Sequence, residues 1–79
     1  MDPNAALIDS LSTQIRMELV GLDMEQQELA DAVPIARATL SKYLMGHRTM
    51  PMPTFFKVAE ILGVKPSVLL ERAAARIAP

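Results

Sequence analysis

The chain of 79 residues contains no cysteine, which excludes a disulfide framework and any zinc site built on thiolates. It has one histidine, His47, and no glycine-rich phosphate loop, so most nucleophilic and nucleotide-binding chemistries lack their residues. The acids of the first half stand at solvent-face spacings with no histidine partner, whereas acid–base catalysis needs groups converging in a pocket. The expectation is a protein that is not an enzyme, with no cofactor, no metal and no small-molecule ligand. No apolar run approaches the length of a membrane span, and the first residues lack a signal-peptide pattern. A cytoplasmic protein with no membrane partner is expected. Repeats, linkers and low-complexity tracts are also missing. Hydrophobic residues make up 51% of the chain, enough to argue against disorder. One small domain over residues 1–79 is expected, near the size at which a core is only just sufficient.

One further absence is local. Residues 32–59 contain no acid, yet they hold Arg37, Lys42, Arg48 and Lys57 together with His47. Residues 1–31 hold seven acids (Asp2, Asp9, Glu18, Asp23, Glu25, Glu28, Asp31) and one base, Arg16. The net charge of −1 therefore conceals a basic block, the kind of electrostatic footprint that nucleic-acid binding requires. A merely solvated charge run is the competing reading, and the complete lack of acids weighs against it.

Overlapping that block is the stretch Met24–Gly46, two short helical patterns with a break between them, the second of which lies inside the block. In the first, at about 24–33, Leu29, Ala30 and Val33 recur at helical spacing. Asp23 stands in front as a candidate N-cap with Gln26 three residues on, a capping-box arrangement. Val33-Pro34 breaks the pattern, because proline has no N–H to continue a helix and disfavours α geometry in the residue before it. The second pattern starts near Ala36 and ends at Gly46, a natural C-terminal stop. On a helical wheel Ala36, Leu40 and Tyr43 share one side, with Leu44 at its edge. Arg37, Ala38, Ser41, Lys42 and Met45 share the other. A helix with an apolar inner stripe and a small, polar, basic outer face is suited to a DNA major groove. Any surface helix carries an Arg and a Lys, so this helix alone does not decide the matter.

The rest of the chain reads as scaffold. Asp2-Pro3-Asn4 opens a first helix at about 4–21, with Asp2 able to cap and proline welcome at the first position. Ile8, Leu11, Ile15, Leu19 and Leu22 give it one apolar stripe, and its acids are expected to face away from any nucleic acid. After the loop His47–Met52, Pro51 and Pro53 start a fourth helix running to about Leu62. Phe55 or Phe56, Val58, Ala59 and Leu62 point inward, and Gly63 closes it. Met45, Met50 and Met52 read as covers for the core edge. Lys65-Pro66-Ser67 begins the last helix, at about 66–77. Its residues Val68, Leu69, Leu70, Ala73, Ala74 and Ile77 are apolar around much of the circumference. One face must cover the core; the surplus either marks a dimer interface or is buried in a chain short of core.

Gln26-x-x-Leu29-Ala30, then Ile35-x-Arg37-x-x-Leu40-Ser41, then Gly46 with Arg48, resemble the phage Cro and repressor type of helix-turn-helix, the xenobiotic-response-element-like regulators. Ala59-x-x-Leu62-Gly63-Val64 and Leu69 continue the pattern at the same spacing, so the resemblance spans roughly residues 15–71. No single element is specific; the ordered set is. Two departures stand out: Pro34 occupies the turn where the family usually has glycine, and Leu44 replaces a residue that is usually polar or acidic.

The resemblance implies an all-α fold, a compact five-helix lambda-repressor-like domain with its helix-turn-helix at about residues 24–46. It implies a sequence-specific transcriptional regulator of the small phage Cro or immunity type, acting by occupying an operator in double-stranded DNA. A pseudo-palindromic operator bound by a homodimer is expected. The DNA-binding residues it implies are Gln26, Arg37, Ala38, Thr39, Ser41, Lys42 and Arg48. Of these, Arg37, Ala38 and Lys42 are aimed at base edges, with a phosphate equally open to Lys42. Gln26 is placed at a phosphate near the start of the second helix, and Arg48 near the sugar-phosphate backbone. The alternative is an antitoxin-like or adaptor module that uses the same fold to bind protein.

Overall fold

A computed structural model describes residues 2–78; Met1 and Pro79, the two ends of the expected domain, lie outside the described residues. The described chain is all-helical: α1 (Pro3–Gly21), α2 (Gln26–Ala32), α3 (Arg37–Leu44), α4 (Met52–Leu62) and α5 (Pro66–Ile77). The five helices lie where the sequence pattern predicts them, and the boundaries differ by a few residues at most.

Helix α1 begins as the sequence suggests, with the Asp2 carboxylate accepting from the Asn4 N–H at 3.0 Å. Its apolar stripe is narrower than expected. Ile15 and Leu19 are buried and Leu11 half-buried, while Ile8 and Leu22 at the two ends are exposed. Ser10 and Gln14 are buried instead. The reason is the partner on that side: α5 crosses closely enough for Ser10 Oγ to donate to the Ala73 carbonyl at 2.7 Å. Small and hydrogen-bonded side chains therefore replace large apolar ones there. Arg72 of α5 reaches both Glu18 oxygens, at 2.9 and 3.0 Å, and fastens the same pair of helices.

The junction between α1 and α2 corrects one expectation. Asp23 is not the N-cap of α2. It takes a left-handed conformation, φ 53°, and ends α1 while its N–H bonds the Val20 carbonyl at 3.1 Å and the Met24 N–H bonds Leu19 at 2.9 Å. That bond pair is the Schellman stop, usually built on glycine; a short polar side chain tolerates it better than most. The N-cap is Glu25, whose own N–H donates to Glu28 Oε1 at 3.2 Å in a capping box.

Pro34 ends α2 as expected, but Val33 before it keeps α geometry, φ −61° and ψ −46°. The Val33 N–H is bonded to the Leu29 carbonyl at 3.0 Å and its side chain is buried, and these constraints outweigh the local bias against that geometry. The Ile35 N–H reaches over proline to the Ala30 carbonyl at 2.8 Å. Proline, having no N–H, withholds only the inner of the two bonds that would close such a turn. The turn is thus formed without glycine; the Val33–Pro34 peptide is cis.

Leu40, Tyr43 and Leu44 of α3 are buried, whereas Ala36, placed on the same side by the wheel, is the exposed N-cap outside the helix. Leu44, the departure from the family pattern, is fully buried in the core cluster that also contains Leu19, Leu29, Leu40, Phe55, Val58 and Leu69. A charge there would need a partner the cluster does not offer; leucine instead adds apolar burial. In α4 the inward ring is Phe55, with Phe56 half exposed. In α5 only Leu69 and Ala73 are buried; Leu70 and Ile77 are exposed. No helix among the described residues is long and apolar enough to cross a membrane.

Candidate nucleic-acid interface

Two caps aim the second helix of the motif. Ala36 starts α3, so Arg37 is its first helical residue. Gly46 stops it in the left-handed region, φ 78°, with the Gly46 N–H on the Tyr43 carbonyl at 3.2 Å and the His47 N–H on Lys42 at 2.9 Å. A side chain at Gly46 would be strained there, and its Cβ would come within 3.2 Å of Asp9 Oδ1. The positive φ is what favours glycine at this corner, since the exposed Asp9 side chain could shift to make room.

With Leu40, Tyr43 and Leu44 buried, α3 turns the opposite side outward. Arg37, Ala38, Lys42 and Met45 are exposed, and Ser41 and Thr39 are half-buried at its flanks. Arg37 and Ser41, like Ala38 and Lys42, stand one turn apart and share a face. Arg48 follows in the loop, exposed, with its guanidinium carbon 5.9 Å from the Tyr43 ring centroid. Gln26, half-buried, opens α2.

The charge map is sharper than the sequence block. Lys57 pairs with Glu60 at 3.6 Å, so one of the four bases is partly neutralised by an acid just beyond the block. Among the described residues Arg37, Lys42 and Arg48 pair with no carboxylate. The expectation that the α1 acids all lie away from this surface fails for Asp9, which lies against Gly46. Spacing along α1 could not reveal that, because it depends on how α1 crosses α3. The helical period marks Tyr43 only as an inner residue; its contact with Arg48 depends on the loop folding back, which no helical wheel contains.

The comparisons with known proteins agree with this geometry. The helix-turn-helix family model matches residues 15–69, most of the chain. The chain belongs to the Cro/C1-type helix-turn-helix family. Membership places it among the DNA-binding transcriptional regulators. Two crystal structures of the clp gene regulator ClgR from Corynebacterium glutamicum are similar to this helix-turn-helix protein, with TM-scores of 0.85 and 0.84. Sequence identities are 23% and 24%, the alignments covering 89% and 91% of this chain and 74% and 94% of those chains. At such identity the likeness concerns the fold alone. No curated protein matches the sequence significantly.

Proposed function

We propose that this regulator is a small phage-type Cro or immunity repressor that binds a pseudo-palindromic operator as a homodimer and acts by occupying it. The observation that carries the reading is the outward face of α3, where Arg37 and Lys42 stand exposed beside small side chains and pair with no carboxylate among the described residues. Such a face can approach base edges closely, and its charges are not already spent on carboxylates. Arg37, Ala38 and Lys42 read bases, with Thr39 and Ser41 on the flanks of the same face and Arg48 holding the backbone. Gln26 acts through its side-chain amide, since the carboxylates of Glu25 and Glu28 already lie at the start of α2 and oppose a phosphate on the helix terminus itself.

With about four to six phosphates neutralised per protomer, log K should fall against log salt at roughly −0.9 per phosphate. Anisotropy titrations of a selected duplex at several salt concentrations measure this slope. Affinity indifferent to salt, or no binding to any duplex from a random pool, sinks the reading. Salt-indifferent capture of a protein would favour the antitoxin-like or adaptor alternative.

The dimer reading rests on α5, which leaves Leu70 and Ile77 exposed. Leu70 also borders an apolar groove of about 310 Å³, whose lining includes Ile8, Leu11, Met52 and Phe55. The apolar surface thus extends from α5 onto α1 and α4. Leu70→Asp and Ile77→Asp should each shift sedimentation toward monomer and weaken operator binding together. A wild-type chain that stays monomeric both free and on a full operator would reject dimerisation.

A further inference from the structure

We propose that Tyr43 is a positioning residue for Arg48: its ring is the platform that holds the guanidinium ready for the DNA backbone. The proposal rests on the DNA-binding reading above and assigns a task to a residue that reading leaves in the core.

Both partners of the contact are fixed. Tyr43 is only 7% exposed, and its backbone carbonyl accepts from Ser12 Oγ of α1 at 2.8 Å and from the Gly46 N–H at 3.2 Å. The backbone of Arg48 is held by its N–H on the Lys42 carbonyl at 3.3 Å, next to the His47 bond to the same oxygen. The loop therefore doubles back across the last turn of α3 and brings the guanidinium carbon to 5.9 Å from the ring centroid.

This geometry suits an anchor. Arg48 has no carboxylate partner among the described residues, so it keeps its full charge for a phosphate. A free arginine loses rotamer entropy on binding one. Resting on an aromatic face removes part of that cost, because the ring quadrupole attracts the cation in advance. A cation–π contact consumes none of the guanidinium's N–H donors, so they remain for phosphate oxygens. Tyr43 belongs to the same helix as Arg37 and Lys42, and its backbone carbonyl is bonded to Ser12 of α1, so the anchor rests on the element that carries the proposed reading face.

The first test needs no variant and no DNA. In the free wild-type protein the Arg48 side-chain δ protons should resonate upfield of an unstructured arginine, displaced by the ring current of Tyr43. Tyr43→Phe should keep the displacement and Tyr43→Leu should abolish it. For a selected duplex, Tyr43→Leu should weaken binding about two- to five-fold, the size of an exposed cation–π contact, while Tyr43→Phe leaves it unchanged. In an Arg48→Ala background the Tyr43→Leu loss should vanish. Arg48 protons at unstructured positions in the wild type overturn the proposal, as does an equal Tyr43→Leu loss in both backgrounds. A Tyr43→Phe loss as large as that of Tyr43→Leu overturns it too, in favour of a direct hydroxyl contact. If the wild type binds no duplex, the DNA reading fails and the anchor role with it. The proton shift distinguishes that failure from a missing platform.

Discussion

Leu44→Ala is expected to remove about 2–5 kcal/mol of stability, the range for truncating a fully buried leucine. Leu44 has no exposed surface and packs in the cluster shared by α1, α2, α3, α4 and α5. A domain of this length holds in total only about 4–12 kcal/mol, so the substitution threatens the fold itself. Met45→Ala, one residue on, is the control: Met45 is 56% exposed, and truncation there should change stability by no more than about 0.5 kcal/mol. Leu44→Met, which keeps volume and character, should cost less than about 1.5 kcal/mol. Thermal and urea denaturation followed by circular dichroism give all three values. Equal losses for Leu44→Ala and Met45→Ala would show that α3 is rotated from the orientation described, and the outward face would then have to be redrawn.

That contrast between neighbouring residues is legible in the sequence, because a helix period of 3.6 separates an inner from an outer side within three turns. The same arithmetic places Leu29, Ala30, Leu40, Leu62 and Leu69 inside, and all are buried. It places Arg37, Ala38 and Lys42 outside, and all are exposed. The stops at Gly46 and Gly63 are legible too, since both glycines take positive φ.

What the sequence hides belongs to junctions and crossings. Asp23 and Glu25 are two acids in front of one helix, and local preference favours Asp23 as its cap, whereas the structure uses Glu25. The choice follows from Met24, whose N–H closes α1 on the Leu19 carbonyl and so assigns Asp23 to the preceding helix. Ser10 and Gln14 look like solvent-facing polar residues until α5 is laid across them. Ala36 follows the helical period but precedes the helix. Asp9 beside Gly46, and the Arg48 guanidinium over Tyr43, are contacts between segments far apart or folded back, and periodicity along one element carries no information about them. Both lie at the end of α3, one setting an acid beside Gly46 and the other a base over Tyr43.

The division of labour between Arg37 and Arg48 should show as two different kinds of loss. Arg37 is the first residue of α3, the end of a recognition helix that reaches deepest, and its planar fork matches O6 and N7 of guanine. Arg37→Ala should cost about 1–3 kcal/mol on the preferred operator and relax preference at one or two positions of each half-site. Arg48 lies beyond the helix, held by the loop rather than aimed along the groove. Arg48→Ala should weaken all sequences alike and reduce the salt slope by about one for each phosphate it no longer neutralises. Both variants remove one positive charge from exposed positions that are unpaired among the described residues, so a difference between them cannot come from net charge. Binding to a panel of single-base operator changes at fixed salt, repeated across a salt series, separates the two effects. If Arg37→Ala loses affinity equally for every member of the panel while Arg48→Ala changes the preference, reader and anchor are exchanged.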